Sequence, residues 1–128
     1  MKKKAIDEFE ILQGQLQSFY LEMNALVKKS PNDALNKFKL GLVNSVLQKA
    51  NTFLGETRKP FGDFGQFDEA AIPTTSDVLV MISQYLSAFE KLRTENIYLD
   101  YDTWYWSIDD ARGGAMQMRT APPKNLEK

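Results

Sequence analysis

A chain of 128 residues that contains no cysteine and no histidine has few side chains with which to do chemistry. Without Cys there are no disulfides, thiolate nucleophiles or thiolate metal sites, and without His the commonest general base and metal ligand are gone. Catalysis would have to run on carboxylates, Lys, Tyr, Ser or Thr. Asp100-Tyr101-Asp102 starts like a calcium loop, but Trp104 and Tyr105 follow where a ligand and a glycine turn are required, and Ala111 stands where a bidentate Glu belongs. Asp63, Asp68 and Glu69 have oxygen ligands for a hard cation, yet loop acids of this kind are ordinarily just solvated. Gly62 and Gly65 are followed by Asp63-Phe64 and Gln66-Phe67 rather than the Lys-Ser/Thr of a phosphate loop. The sequence therefore assigns no catalytic residue, no metal and no cofactor, and predicts a chain that is not an enzyme.

What it does concentrate is aromatic surface. Tyr98, Tyr101, Trp104, Tyr105 and Trp106 place five of fifteen aromatic residues within nine positions, and Phe61, Phe64 and Phe67 recur at steps of three. Such clusters serve as base-stacking platforms, as protein-binding hot spots or simply as core. Asp100, Asp102, Asp109 and Asp110 would repel a phosphate backbone, so a protein partner is favoured and nucleic acid is not. Phe61, Phe64, Phe67, Tyr101, Trp104, Tyr105 and Trp106 are the candidate partner-binding residues.

Charge supports this only indirectly. Sixteen basic side chains balance seventeen acidic ones, for a net charge of −1. Residues 1–59 nevertheless carry ten basic and six acidic groups, and residues 60–128 carry six and eleven, so the halves stand at +4 and −5. Halves of opposite sign in one compact domain attract each other.

The elements that must position these residues are mostly helical. Ile6, Phe9, Leu12, Leu16, Phe19, Tyr20, Met23 and Val27 recur at three and four and predict a helix from about Lys4 to Lys29. Gly14 inside it implies a weak point or a closely approaching backbone. Ser30-Pro31-Asn32-Asp33 has the chemistry of a helix start, with Leu35, Phe38, Leu42, Val46, Ala50 and Phe53 on one line and Leu40, Val43, Leu47 and Leu54 widening it until Gly55. Thr74 and Asp77 have capping-box spacing before a third helix, which ends near Asn96 with Lys91 and Arg93 facing its negative dipole end.

The connection from Glu56 to Thr74 is long for a compact domain, and its three phenylalanines should pin it across the groove between helices two and three. Beyond Tyr98 the period changes to two. Trp104, Trp106 and Ile108 alternate with polar or opposite-facing residues, Asp109 to Gly114 reads as a turn, and Met116 and Met118 continue the face of a β-hairpin over about 103–119. Pro122-Pro123 opens a frayed tail over 122–128.

The expected fold is mainly α: one domain over 1–121, built as a three-helix antiparallel bundle with a long Phe-rich loop between helices two and three and a small C-terminal β-hairpin. Lys2, Lys3 and Lys4 resemble the start of an export signal, but Asp7, Glu8 and Glu10 follow; no apolar run approaches the roughly 20 residues that span a bilayer, so the chain reads as cytoplasmic, without a membrane partner.

The expected function is a non-catalytic interaction protein, with self-association as its simplest form, across an edge at Trp104 to Ile108 or a spare stripe of helix one, giving a homodimer. An acidic inhibitor or immunity-type protein on a basic partner is the second expectation. A small-ligand binder or enzyme using Tyr and carboxylates between hairpin and helices is the third, and it requires a carboxyl group with a raised pKa.

Overall fold

A computed structural model describes residues 1–109 and 117–124. The chain is mainly helical and carries a small antiparallel sheet: α1 spans Lys3–Lys29, α2 Lys37–Leu54, α3 Thr75–Thr94, β1 Ile97–Asp100, β2 Thr103–Trp106 and β3 Arg119–Thr120. The sheet order is β1-β2-β3. Among the described residues no helix is long and apolar enough to cross a membrane.

The stripe of α1 behaves as its spacing predicts, with Ile6, Phe9, Leu12, Leu16 and Met23 buried, and α1 packs most extensively on α3. Gly14 has nothing within 4 Å of where a Cβ would stand. No backbone approaches it, so of the two expected explanations only the weak point remains.

The second helix starts later than its apparent cap. Pro31 to Asp33 form a turn, and Asn36 is the true N-cap, accepting from the Lys39 N–H at 3.0 Å. The reason is tertiary. The backbone that a helix from Ser30 would consume is already bonded to the approach of α3: Leu35 N–H donates to Pro73 O, Thr75 N–H to Asp33 O, and Thr75 Oγ1 to Ser30 O at 2.8 Å. A chain-to-chain pairing here outweighs a local cap.

The apolar line through α2 also needs correction. Leu40, Val43, Val46, Leu47, Ala50 and Leu54 are buried, whereas Phe38 is 74% exposed and Leu42 46%. Two overlapping stripes compete on this helix. The inward one is the one whose flank presents Asn44 and Asn51 to the long connection, where both side chains find backbone partners.

That connection is held by amides as much as by rings. Asn44 accepts from the Phe67 N–H and donates to the Phe67 carbonyl, both at 2.9 Å. Asn51 donates to Gly65 O and accepts the Tyr85 hydroxyl proton at 2.6 Å, tying α2, the loop and α3 together. Phe64 and Phe67 pack edge-on at 5.2 Å and Phe64 reaches Tyr85 of α3, which places them against both helices. Phe61 stays 42% exposed.

Thr74 caps α3 as expected, its hydroxyl accepting from the Asp77 N–H at 3.2 Å. At the other end Arg93 does more than face a dipole. It is 3% exposed and ion-paired to Glu90, and it also donates to Thr120 Oγ1, Ala121 O and Pro122 O. Lys124 N–H in turn donates to Glu90 at 2.9 Å. Residues 122–124, expected to fray, are therefore strapped to α3; residues 125–128 lie outside the described range.

The period-two segment is a strand, shorter than expected and in a different place within its sheet. It pairs with β3 through Trp104 opposite Thr120 and Tyr105 opposite Arg119, and on its other side with a further, unexpected strand, Ile97–Asp100. The expected turn at 110–114 and the face position Met116 lie outside the described residues. Met118 and Ile108 rest partly buried on the core, and Trp106 closes it, with its ring 5.1 Å from Phe9, which in turn sits 5.0 Å from Phe89.

Candidate protein-docking surface

The β1–β2 hairpin turns in two residues. Asp100 pairs with Thr103, so Tyr101 and Asp102 alone make the reversal. Tight reversals of this kind need positive φ, normally supplied by Gly or Asn. Here Tyr101 takes it, at φ 56, and Tyr101 is 93% exposed. A bulky side chain in the left-handed region costs about 1–2 kcal/mol, and its ring recovers nothing by burial within this chain.

Alternation assigns the remaining side chains. Tyr98 and Tyr105 stand opposite each other on the outer face with rings 5.8 Å apart. Ile97, Leu99, Trp104 and Trp106 share the inner face. Only the end nearest the helices reaches the core: Trp106 is 2% exposed, while Leu99, toward the tip, is 54% exposed. Apolar surface thus builds up away from the core, bracketed by the exposed acids Asp100 and Asp102.

The residues singled out from sequence divide accordingly. Tyr101 is at the tip, Trp104 and Tyr105 are half-buried on opposite faces of the hairpin, and Trp106 belongs to the core, so it offers no surface in the folded chain. Phe61, Phe64 and Phe67 lie on the separate α2–α3 connection, where only Phe61 keeps much exposure. Leu99 and Tyr98, both exposed, complete the hairpin surface and were absent from the sequence-derived set. Their signal was present: Ile-Tyr-Leu-Asp and Thr-Trp-Tyr-Trp are two short strands separated by two residues, but Tyr-Asp is not a recognised turn pair.

No protein-family model, no curated protein and no solved structure matches this chain.

Among the described residues no group of three His, Cys, Asp or Glu is arranged to hold a metal ion. Asp68 accepts from the Ala70 N–H and Glu69 from Asn44, both local structural roles. Among the described residues, the carboxyl groups displaced in pKa, Glu90 and Glu95, are displaced downward. Burial pushes Glu90 up, but the Arg93 bonds, the Lys124 N–H and their charges outweigh it, and the Arg58 hydrogen bond holds Glu95 down. Tyr85 is raised by burial, partly offset by Asn51. One hollow of about 230 Å³ is lined by Thr57, Arg58, Lys59, Ala88 and Lys91, and one of about 260 Å³ runs between Gln13, Gln17 and Tyr20 of α1 and Leu86, Ser87 and Glu90 of α3.

Proposed function

We propose that this chain is a cytoplasmic, non-catalytic protein-interaction module in which the three helices form an antiparallel bundle serving as scaffold and the β1–β2 hairpin is the docking element. One observation carries the reading: Tyr101 is held at φ 56 on a two-residue turn with 93% of its surface in water. Local strain on an exposed aromatic is retained where the ring has a use outside the fold. Tyr is also among the side chains that most often dominate protein interfaces, because it offers large rigid area and a hydroxyl. Tyr98 and Leu99 supply the adjoining contact area.

Asp100 and Asp102 bracket the ring and favour a basic surface opposite it. That placement also suits the inhibitor-type reading, in which the tip enters a basic cleft, and binding that weakens steeply with salt would mark that case.

The test uses Tyr101→Ala and Leu99→Ala. Both should keep the wild-type melting behaviour, since neither ring nor side chain is buried, and both should weaken binding to a partner identified by crosslinking and reconstituted from purified components. Wild-type affinity in both variants would contradict the assignment of the hairpin.

A further inference from the structure

Among the described residues the hairpin leaves one side of the sheet open, and its pattern of backbone groups is specific. In an antiparallel pair, hydrogen-bonded and non-hydrogen-bonded positions alternate. Ser107 N–H donates to Asn96 O at 2.7 Å, and Trp106 N–H donates away from β1, to Met118 O at 2.9 Å. Asn96, Tyr98 and Asp100 therefore bond to β2, which leaves the N–H and C=O of Ile97 and Leu99 directed outward from β1, the edge strand of the sheet. The edge expected from sequence, Trp104 to Ile108, is instead central, covered by β1 on one side and β3 on the other.

Resting on the reading of the hairpin as a docking element, we infer that the partner of this edge is a second copy of the chain, joined by antiparallel β1–β1 pairing about Tyr98. The edge is self-complementary. With Tyr98 on the two-fold axis, Ile97 falls opposite Leu99 of the second copy and Leu99 opposite its Ile97, so all four outward groups on each strand are matched in one register. Leu99, 54% exposed, gains an apolar neighbour, and Tyr98, 41% exposed, meets Tyr98 of the second copy, extending the Tyr98–Tyr105 pair into a row of four rings. The edge carries no Lys, Pro or bulge of the kind that normally blocks such pairing.

Charge selects the same register. Asp100 falls opposite Asn96 of the second copy, and Tyr101-Asp102 continue toward the end of α3 there. At that end Arg58 is paired to Glu95, and Arg58, Lys59 and Lys91 line one hollow. Two acids from each tip thus approach an end where Arg58, Lys59 and Lys91 stand with Glu95 and Glu56, three cations to two acids, and no acid of one β1 stands opposite an acid of the other.

Sedimentation equilibrium of the full chain from about 1 to about 300 µM tests this. The wild type should show a reversible monomer–dimer equilibrium. Leu99→Pro removes an outward N–H that takes no part in the β1–β2 ladder, and by two-fold symmetry two hydrogen bonds, so dimerisation should weaken roughly tenfold or more. In case proline disturbs β1, a charge pair gives a second route. Asp100→Lys with Asp102→Lys, and separately Arg58→Glu with Lys91→Glu, should each be monomeric over that range, while their equimolar mixture should form a heterodimer. A wild type that stays monomeric throughout overturns the self-pairing, as does a dimer unchanged by Leu99→Pro and by both charge sets. Monomeric wild type with Tyr101-dependent binding to another protein would remove the second copy as partner and leave the docking role of the hairpin standing.

Discussion

Arg93 grips Glu90 in a bidentate pair, Nε to Oε1 at 2.8 Å and Nη2 to Oε2 at 2.7 Å, and spends its three remaining N–H donors on Thr120, Ala121 and Pro122. Both side chains are nearly buried, Glu90 at 2% and Arg93 at 3% exposure. A buried pair of this kind adds little compared with an apolar replacement, but losing one partner strands the other. Arg93→Ala should therefore cost about 3–5 kcal/mol in chemical denaturation, whereas Glu90→Leu with Arg93→Met should cost clearly less than the single change. Hydrogen exchange at Lys124 should accelerate in the double variant, which removes its Glu90 acceptor. This clamp also holds β3 beside β2, and so supports the hairpin from behind.

The same pair sets the acid response. Glu90 has a pKa below its ordinary value of 4.5, so its contribution to stability is complete above that value and is lost as pH falls through the lowered one. Tyr85 has the opposite sense: raised above its ordinary 10.0, it supports the fold below that value and stops doing so as pH rises through the raised one. Denaturation midpoints measured from about pH 6 down to about pH 3 should fall, and Glu90→Gln should flatten part of that fall.

The long connection makes a separate prediction. Removing the Asn44 amide leaves the Phe67 N–H and C=O without their partners, so Asn44→Ala should destabilise by about 1–3 kcal/mol. Asn51→Ala should do the same through Gly65 and Tyr85, and the double variant should release Phe64 and Phe67, detectable as a rise in exposed apolar surface by dye binding. Unchanged stability in Asn44→Ala would show that the rings alone hold the loop.

Gly14 sits in the middle of α1 with open space where a Cβ would go. Gly14→Ala should raise stability by about 1 kcal/mol without other consequence, read as a higher denaturation midpoint at unchanged slope.

Tyr101 should behave as a trade. Tyr101→Gly relieves a left-handed conformation and should stabilise the fold by about 1 kcal/mol, while weakening whatever the hairpin binds. Loss of stability in this variant would mean that the ring is anchored within the chain.

The residues differ in how far sequence alone discloses their places. The stripe of α1 and the Thr74 cap are legible because each depends on neighbours within a few positions. The start of α2 is not, because Ser30 to Leu35 are bonded to Pro73 and Thr75, some forty residues away in sequence. Phe38 and Phe53 share a line on α2 but not a fate, since two apolar stripes overlap and only packing chooses between them. Trp106 reads as surface or core with equal ease until Phe9 is seen against it. At the hairpin, Tyr101 hid β1: a turn that lacks Gly and Asn does not announce itself, and the strain that conceals it is what marks the surface.

The most direct test of the open edge is amide hydrogen exchange at Ile97 and Leu99 measured against protein concentration, with Tyr98 as the internal reference already bonded to β2. The two edge amides should exchange quickly in dilute solution and become protected as concentration rises, while Tyr98 stays protected throughout. Exchange at Ile97 and Leu99 that remains fast at every concentration, and in the presence of any bound protein partner, would contradict the assignment of β1 as a docking edge.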